Sequence, residues 1–211
     1  MIEAPSFNAV KKHKTCYRDT LCCIVFAPEF HKLGYEGIIN RREYLHARSE
    51  EHIHFYCAGY GAYWNTEYAP DMAPLHISQE IPWCFSQRFF ANFVDEMEQE
   101  TNWRYSGGAE LIVLNPDLDF SDCIIFNLDK MIQDNVIVHT GEIFELLIQH
   151  AKKYNDLHSL LAKKGAKSIA NATKDGLINL LPSPLKTFFE TLVKGRHYLL
   201  KDISKPPIHH I

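Results

Sequence analysis

The run "TLCCIVFA" (Thr20–Ala27) admits few structures. After Thr20 every residue is apolar, Ile24 and Val25 are β-branched, and Pro28 closes the segment. A stretch this short, with no polar alternation, predicts a strand buried on both faces. Such a strand needs covering layers on each side of its sheet, so the chain is expected to be α/β. At 211 residues it can bury that much surface. Its 46% hydrophobic and 23% charged residues are ordinary for a globular protein.

The rest of the chain is punctuated around this strand. Residues Tyr35–Ser49 are helix-like. "HIHFYCAG" then predicts a second strand, stopped by Gly59 and Gly61. Residues 64–85 carry Pro70, Pro74 and Pro82 without a clear period, which predicts a long loop of the kind that often has a function. Ser86 is placed to cap a helix, with Phe89, Phe90, Phe93, Val94 and Met97 at helical spacing behind it. "AELIVLN" and "DCIIFNL" follow as strands, and the short link "PDLDFS" favours an antiparallel hairpin. Thr140 is expected to cap a further helix that turns Ile143, Phe144, Leu147, Ile148 and Ala151 inward. This gives an α/β domain over residues 1–155 and a basic, helix-rich C-terminal extension over 156–211, broken at Gly165, Gly176 and "PSP".

The order β-α-β-(loop)-α-β-β-α, with "VFAPEFHKLG" (Val25–Gly34) at the end of the first strand, resembles the thioredoxin-like fold over residues 20–155. The resemblance implies a mixed sheet, but its redox chemistry does not carry over. Glu29, Phe30 and His31 stand where that family has its cysteine pair, and "YSGGAEL" stands where it has a cis-proline. A flavodoxin-like or Rossmann-like three-layer sheet is the alternative, which the hairpin fits less well.

The candidate ligand-binding residues lie at expected strand ends. They are Glu29 and His31, then Gly59, Tyr60, Gly61 and Trp64, then Arg104, Ser106, Gly107, Gly108 and Glu110. Glycines after a strand let a ligand approach the backbone, but Trp64 stands where a dinucleotide fingerprint needs its third glycine. His52 and His54, on one face of the second strand, are candidate metal ligands, with Cys57 on the other face. The reading favoured for them is structural, and no cofactor is expected. "NPDLDFSD" lacks the glycine and the bidentate glutamate of a calcium loop, and predicts a solvated turn. His76–Ser78 matches half of a two-histidine phosphoesterase pattern, without its other half. No catalytic signature identifies an enzyme, and none of the six cysteines forms a CxxC pair.

Charge separates the two regions. Residues 1–151 hold 11 Lys/Arg and 22 Asp/Glu, a net of −11, while 152–211 hold 11 and 4, a net of +7. Lysines in the extension stand beside the pairs Leu160/Leu161, Leu180/Leu181 and Phe188/Phe189. Residues 156–200 are therefore expected to dock on a protein partner or an anionic membrane surface, with nucleic acid less favoured because arginine is scarce. The expected function is that of a non-redox interaction protein. The alternative is an enzyme or sensor that binds a small molecule or nucleotide at the strand ends. Scattered cysteines in apolar runs, no apolar leader and no long apolar span predict a cytoplasmic protein.

Overall fold

The computed structural model describes residues 1–17, 19–75, 82–121, 123–153 and 198–205. The strand read from "TLCCIVFA" is β2 (Leu21–Phe26), and every one of its residues is buried. It lies inside a mixed six-stranded sheet of order β1-β3-β2-β7-β8-β9. The partners are β1 (Ile2–Ala4), β3 (Ile53–Ala58), β7 (Glu110–Leu114), β8 (Cys123–Asn127) and β9 (Tyr198–Lys201). The first three strands run parallel, and β2/β7, β7/β8 and β8/β9 are antiparallel. The β7/β8 hairpin is present as the short link requires. With three antiparallel pairings, the sheet is not the parallel one of a doubly wound alternative.

Both faces are covered, as the apolar run demands. On one face lie α1 (Phe7–Cys16) and α4 (Gln87–Glu100), whose Phe7 and Phe93 meet edge to face at 5.9 Å. Phe26 of β2 packs on Phe93 at 5.8 Å. On the other face, α6 (Gly141–Lys153) sets Phe144 against Phe55 of β3 at 4.9 Å. The helix-like stretch before β3 resolves into α2 (Lys32–Gly37), a 3₁₀ turn (Ile39–Arg41) and α3 (Arg42–Ser49). That subdivision accounts for its patchy apolar stripe.

Several expectations need correction. The loop expected over 64–85 contains two strands, β5 (Met72–Pro74) and β6 (Trp83–Ser86). With β4 (Tyr60–Ala62) they form a second, antiparallel sheet of order β4-β6-β5. Prolines at the margins of strands this short hide the period-two signal. Gly59 ends β3 as expected and turns the chain from one sheet into the other, at φ +79°, whereas Gly61 lies within β4. Ser86 caps α4 as expected, its hydroxyl accepting from the Phe89 N–H at 3.1 Å. The Thr140 hydroxyl instead donates to the Gly37 carbonyl across the interface, at 2.8 Å.

Among its described residues the extension read as helical contains a strand, β9 (Tyr198–Lys201). Its residues 154–197 and His76–Ser78 lie outside the described residues. At β9 the chain is back in the sheet, where buried Ile203 donates its N–H to the Phe120 carbonyl. Asn102 donates its backbone N–H to Ile203 and its side-chain amide to Ser204.

Candidate functional site

Parallel β2 and β3 end on the same edge as β7 begins, because Phe26 of β2 pairs with Glu110 of β7. This register gathers Glu29, His31, Ser106, Gly107, Gly108 and Glu110 at one end of the sheet. Gly59 and Tyr60 join them, since the Tyr60 hydroxyl donates to the Ala27 carbonyl at 2.6 Å.

His31 opens α2 as its cap, with Nδ1 accepting the Gly34 N–H at 3.3 Å. An accepting Nδ1 leaves the proton of the neutral ring on Nε2. That atom lies 3.3 Å from Oδ2 of Asp129, in the first turn of α5 (Leu128–Gln133). The same oxygen accepts the Ala109 N–H at 2.8 Å. A Cβ on Gly108 would sit 2.0 Å from it, so the carboxylate fits only over a glycine. Both imidazole nitrogens are thus committed to the chain itself. The group acts as a latch joining three elements, without a free basic nitrogen to serve a substrate.

Glu110 is the buried charge of this edge. Oε2 accepts from the Trp103 indole N–H and Oε1 from the Ser106 N–H, both at 3.2 Å. Burial nonetheless holds its carboxyl above the usual range, against the pull of those hydrogen bonds. Tyr105 spans the turn, its hydroxyl donating to the Gly108 carbonyl at 2.7 Å. Gly107, at φ +91°, has nothing within 4 Å of a built Cβ and faces open space. Phe30 is 62% exposed, with one edge toward Phe85 at 6.2 Å.

The other candidates do not reach this edge. Arg104 folds back on the end of α4, donating to the carbonyls of Glu98, Thr101 and Trp103. Trp64 covers Gly61, whose Cβ would fall 1.8 Å from the indole, and joins Phe89 and Tyr68 in a separate aromatic patch. His52 and His54 sit at the opposite end of the sheet. His52 lies 3.7 Å from Glu50, and His54 contacts the Tyr56 hydroxyl at 3.3 Å. Among the described residues no group of three His, Cys, Asp or Glu is arranged to hold a metal ion. Asp129 and Tyr105 escaped the sequence reading. The signal for Asp129 was the capped start "NLDK", where Asn127 accepts the Lys130 N–H at 2.9 Å.

Of the described cysteines, Cys22, Cys23, Cys57, Cys84 and Cys123 are buried and Cys16 is exposed on α1. Burial pushes the Cys22 and Cys57 thiols up to about 12. No helix among the described residues is long and apolar enough to cross a membrane. No family model, curated protein or solved structure matches the chain.

Proposed function

We propose that the chain is a non-redox interaction protein with a thioredoxin-like frame, docking through its basic segment 156–200. The strand order β1-β3-β2-β7-β8 supports the frame. The observation that carries the functional reading is the turn after β2. Glu29-Phe30-His31 replaces a cysteine pair there, and His31 is bound at both nitrogens by Gly34 and Asp129. The turn itself carries no thiol, and burial holds the strand thiols Cys22 and Cys57 above the usual range, which argues against disulfide exchange.

In the sequence the basic segment follows α6, which ends at Lys153, and runs into β9, which begins at Tyr198. Its excess of lysine over acidic residues suits an acidic partner or an anionic membrane. Exposed ion pairing is screened by salt, whereas apolar docking is not. Full-length protein is therefore expected to co-sediment with phosphatidylserine vesicles at low salt and to release them at high salt. The triple substitution Lys163/Lys164/Lys167→Gln should abolish the binding. Failure of the intact chain to bind vesicles or an acidic partner at low salt would sink the docking model.

A second reading rests on Glu110. A buried carboxyl held high, beside the open turn at Gly107, suits a small ligand carrying a hydrogen-bond acceptor. A melting rise of several degrees with one ligand class, lost in Glu110→Gln, would favour it.

A further inference from the structure

The opposite end of the sheet is built differently. A cavity of about 840 Å³ opens where β2 and β3 begin, between α1, α3 and the end of α6. That volume falls within the range of small-molecule sites. His13 of α1 stacks on Tyr17 at 4.5 Å and 19°, and His54 of β3 meets both rings edge-on, at 5.3 and 5.2 Å. The turn that carries Tyr17 is fixed from inside. Buried Lys14 donates to the carbonyls of Tyr17 at 2.7 Å and Thr20 at 2.5 Å.

The Tyr56 hydroxyl links the two imidazoles. It lies 2.9 Å from Nδ1 of His13 and 3.3 Å from Nδ1 of His54. A hydroxyl has one hydrogen to give. With both rings neutral, it donates to one Nδ1 and accepts from the N–H of the other. The first ring then carries its proton on Nε2, and the second has a bare Nε2. Neither Nε2 has a hydrogen-bond partner among the described residues. The pair thus offers one donor and one acceptor, fixed in opposite tautomers by a single buried hydroxyl.

Surroundings keep both rings neutral. Burial, then the charges of His13 and Lys14, bring His54 down to about 4. Burial and Lys14 lower His13 as well.

We propose that this cavity binds a neutral planar nitrogen heterocycle whose edge sets a hydrogen-bond donor beside an acceptor, the pattern of adenine or cytosine. The stacked His13–Tyr17 pair supplies the aromatic wall that a flat ring needs. The charges lining the cavity argue for neutrality. Asp19, Glu50 and Glu51 nearly balance Lys152 and Lys153, and Lys152 already pairs with Glu50 at 3.0 Å. The site lies at the opposite end of the sheet from the strand-end latch.

The test is titration calorimetry of the full-length protein at pH 7 with adenosine, cytidine and purine riboside, which has no exocyclic amine. Adenosine or cytidine should bind saturably, and purine riboside should bind about tenfold more weakly, having no donor for the bare Nε2. Tyr56→Phe keeps the ring but removes the tautomer relay, and should weaken binding by about tenfold. His13→Gln, on the half-buried helix face, is the second variant should the buried substitution unfold the chain, and should weaken binding likewise. Long-range ¹H–¹⁵N spectra of the free protein should show His13 and His54 as one Nδ1–H and one Nε2–H tautomer. No saturable heat with either base-bearing nucleoside at millimolar concentration would overturn the proposal. So would equal affinity for purine riboside, or two identical tautomers.

Discussion

The two ends of the main sheet handle buried polar groups in opposite ways. At the β2–β7 end, three polar groups are answered from within the chain: His31 by Gly34 and Asp129, Glu110 by Trp103 and Ser106, and the Gly108 carbonyl by Tyr105. At the β2–β3 start, one hydroxyl serves two imidazoles and, among the described residues, leaves each with an unused nitrogen beside a cavity. Closure at the first end rests on glycine, because Asp129 and the Phe90 backbone come where side chains would stand. Openness at the second rests on histidine held neutral. A saturated network rigidifies, while one with spare hydrogen-bonding capacity can recognise a ligand.

The largest predicted effect breaks the closed end. Gly59 has a positive φ, and an added Cβ would lie 2.6 Å from the Phe90 Cβ and 2.8 Å from its Cα. Gly59→Ala combines a left-handed backbone penalty with overpacking, together about 4 kcal/mol. Urea unfolding should show the midpoint collapse, and a change below about 1 kcal/mol would mean that the turn is not under this constraint.

Next in size is a pH effect at the open end. His54 titrates near 4 folded and 6.5 unfolded, so between those values the unfolded chain binds more protons. Its contribution is constant above about pH 6.5 and is progressively lost as pH falls toward 4, reaching about 3 kcal/mol. The comparison is with His54→Gln, whose stability should fall less over that window. Parallel curves for the two proteins would show that His54 is not held neutral.

A smaller loss tests the latch. Asp129→Ala removes the acceptor of the Ala109 N–H and the partner of His31, and should cost about 2 kcal/mol. Amide exchange should accelerate at Ala109 and leave the amides of β3 unchanged, if the two ends are energetically separate.

What the sequence disclosed follows the same division. An apolar run such as Leu21–Phe26 allows one kind of burial, so the central strand, the hairpin and α4 were legible from period and capping. Three-residue strands such as β1, β4 and β5 hold at most one full alternation, and their pairing is decided by distant partners. Gly107, Gly108 and Glu110 stood out in the sequence as glycines beside charge, and the β2/β7 register places them at one end of the sheet. Asp129 was not, because its meeting with Gly108 depends on the β7/β8 register. The His13–Tyr56–His54 relay joins residues on two elements, and only His54 carried any signal in the chain.

The smallest predicted effect sharpens the contrast, because the buried carboxyl of the closed end titrates with the opposite sign. Glu110 is raised above its ordinary 4.5 by burial, so just above that value the folded chain binds more protons than the unfolded one. Its contribution to stability is fully present below pH 4.5 and is lost as pH rises through its folded pKa. Acidification from pH 7 toward 5 should therefore relieve the closed end while it loads the open one. Glu50, Glu145 and Asp71 are held below their ordinary values and titrate beneath this window. Groups other than Glu110 cancel when wild type is compared with Glu110→Gln at each pH. The wild type should gain on the variant as pH falls from 7 to 5, in a Gly59-intact chain with both histidines present. A difference that stays flat, or that runs the other way, would mean the Trp103 and Ser106 hydrogen bonds outweigh burial. Glu110 would then be an ordinary satisfied carboxylate, and the second reading of the strand-end site would lose its support.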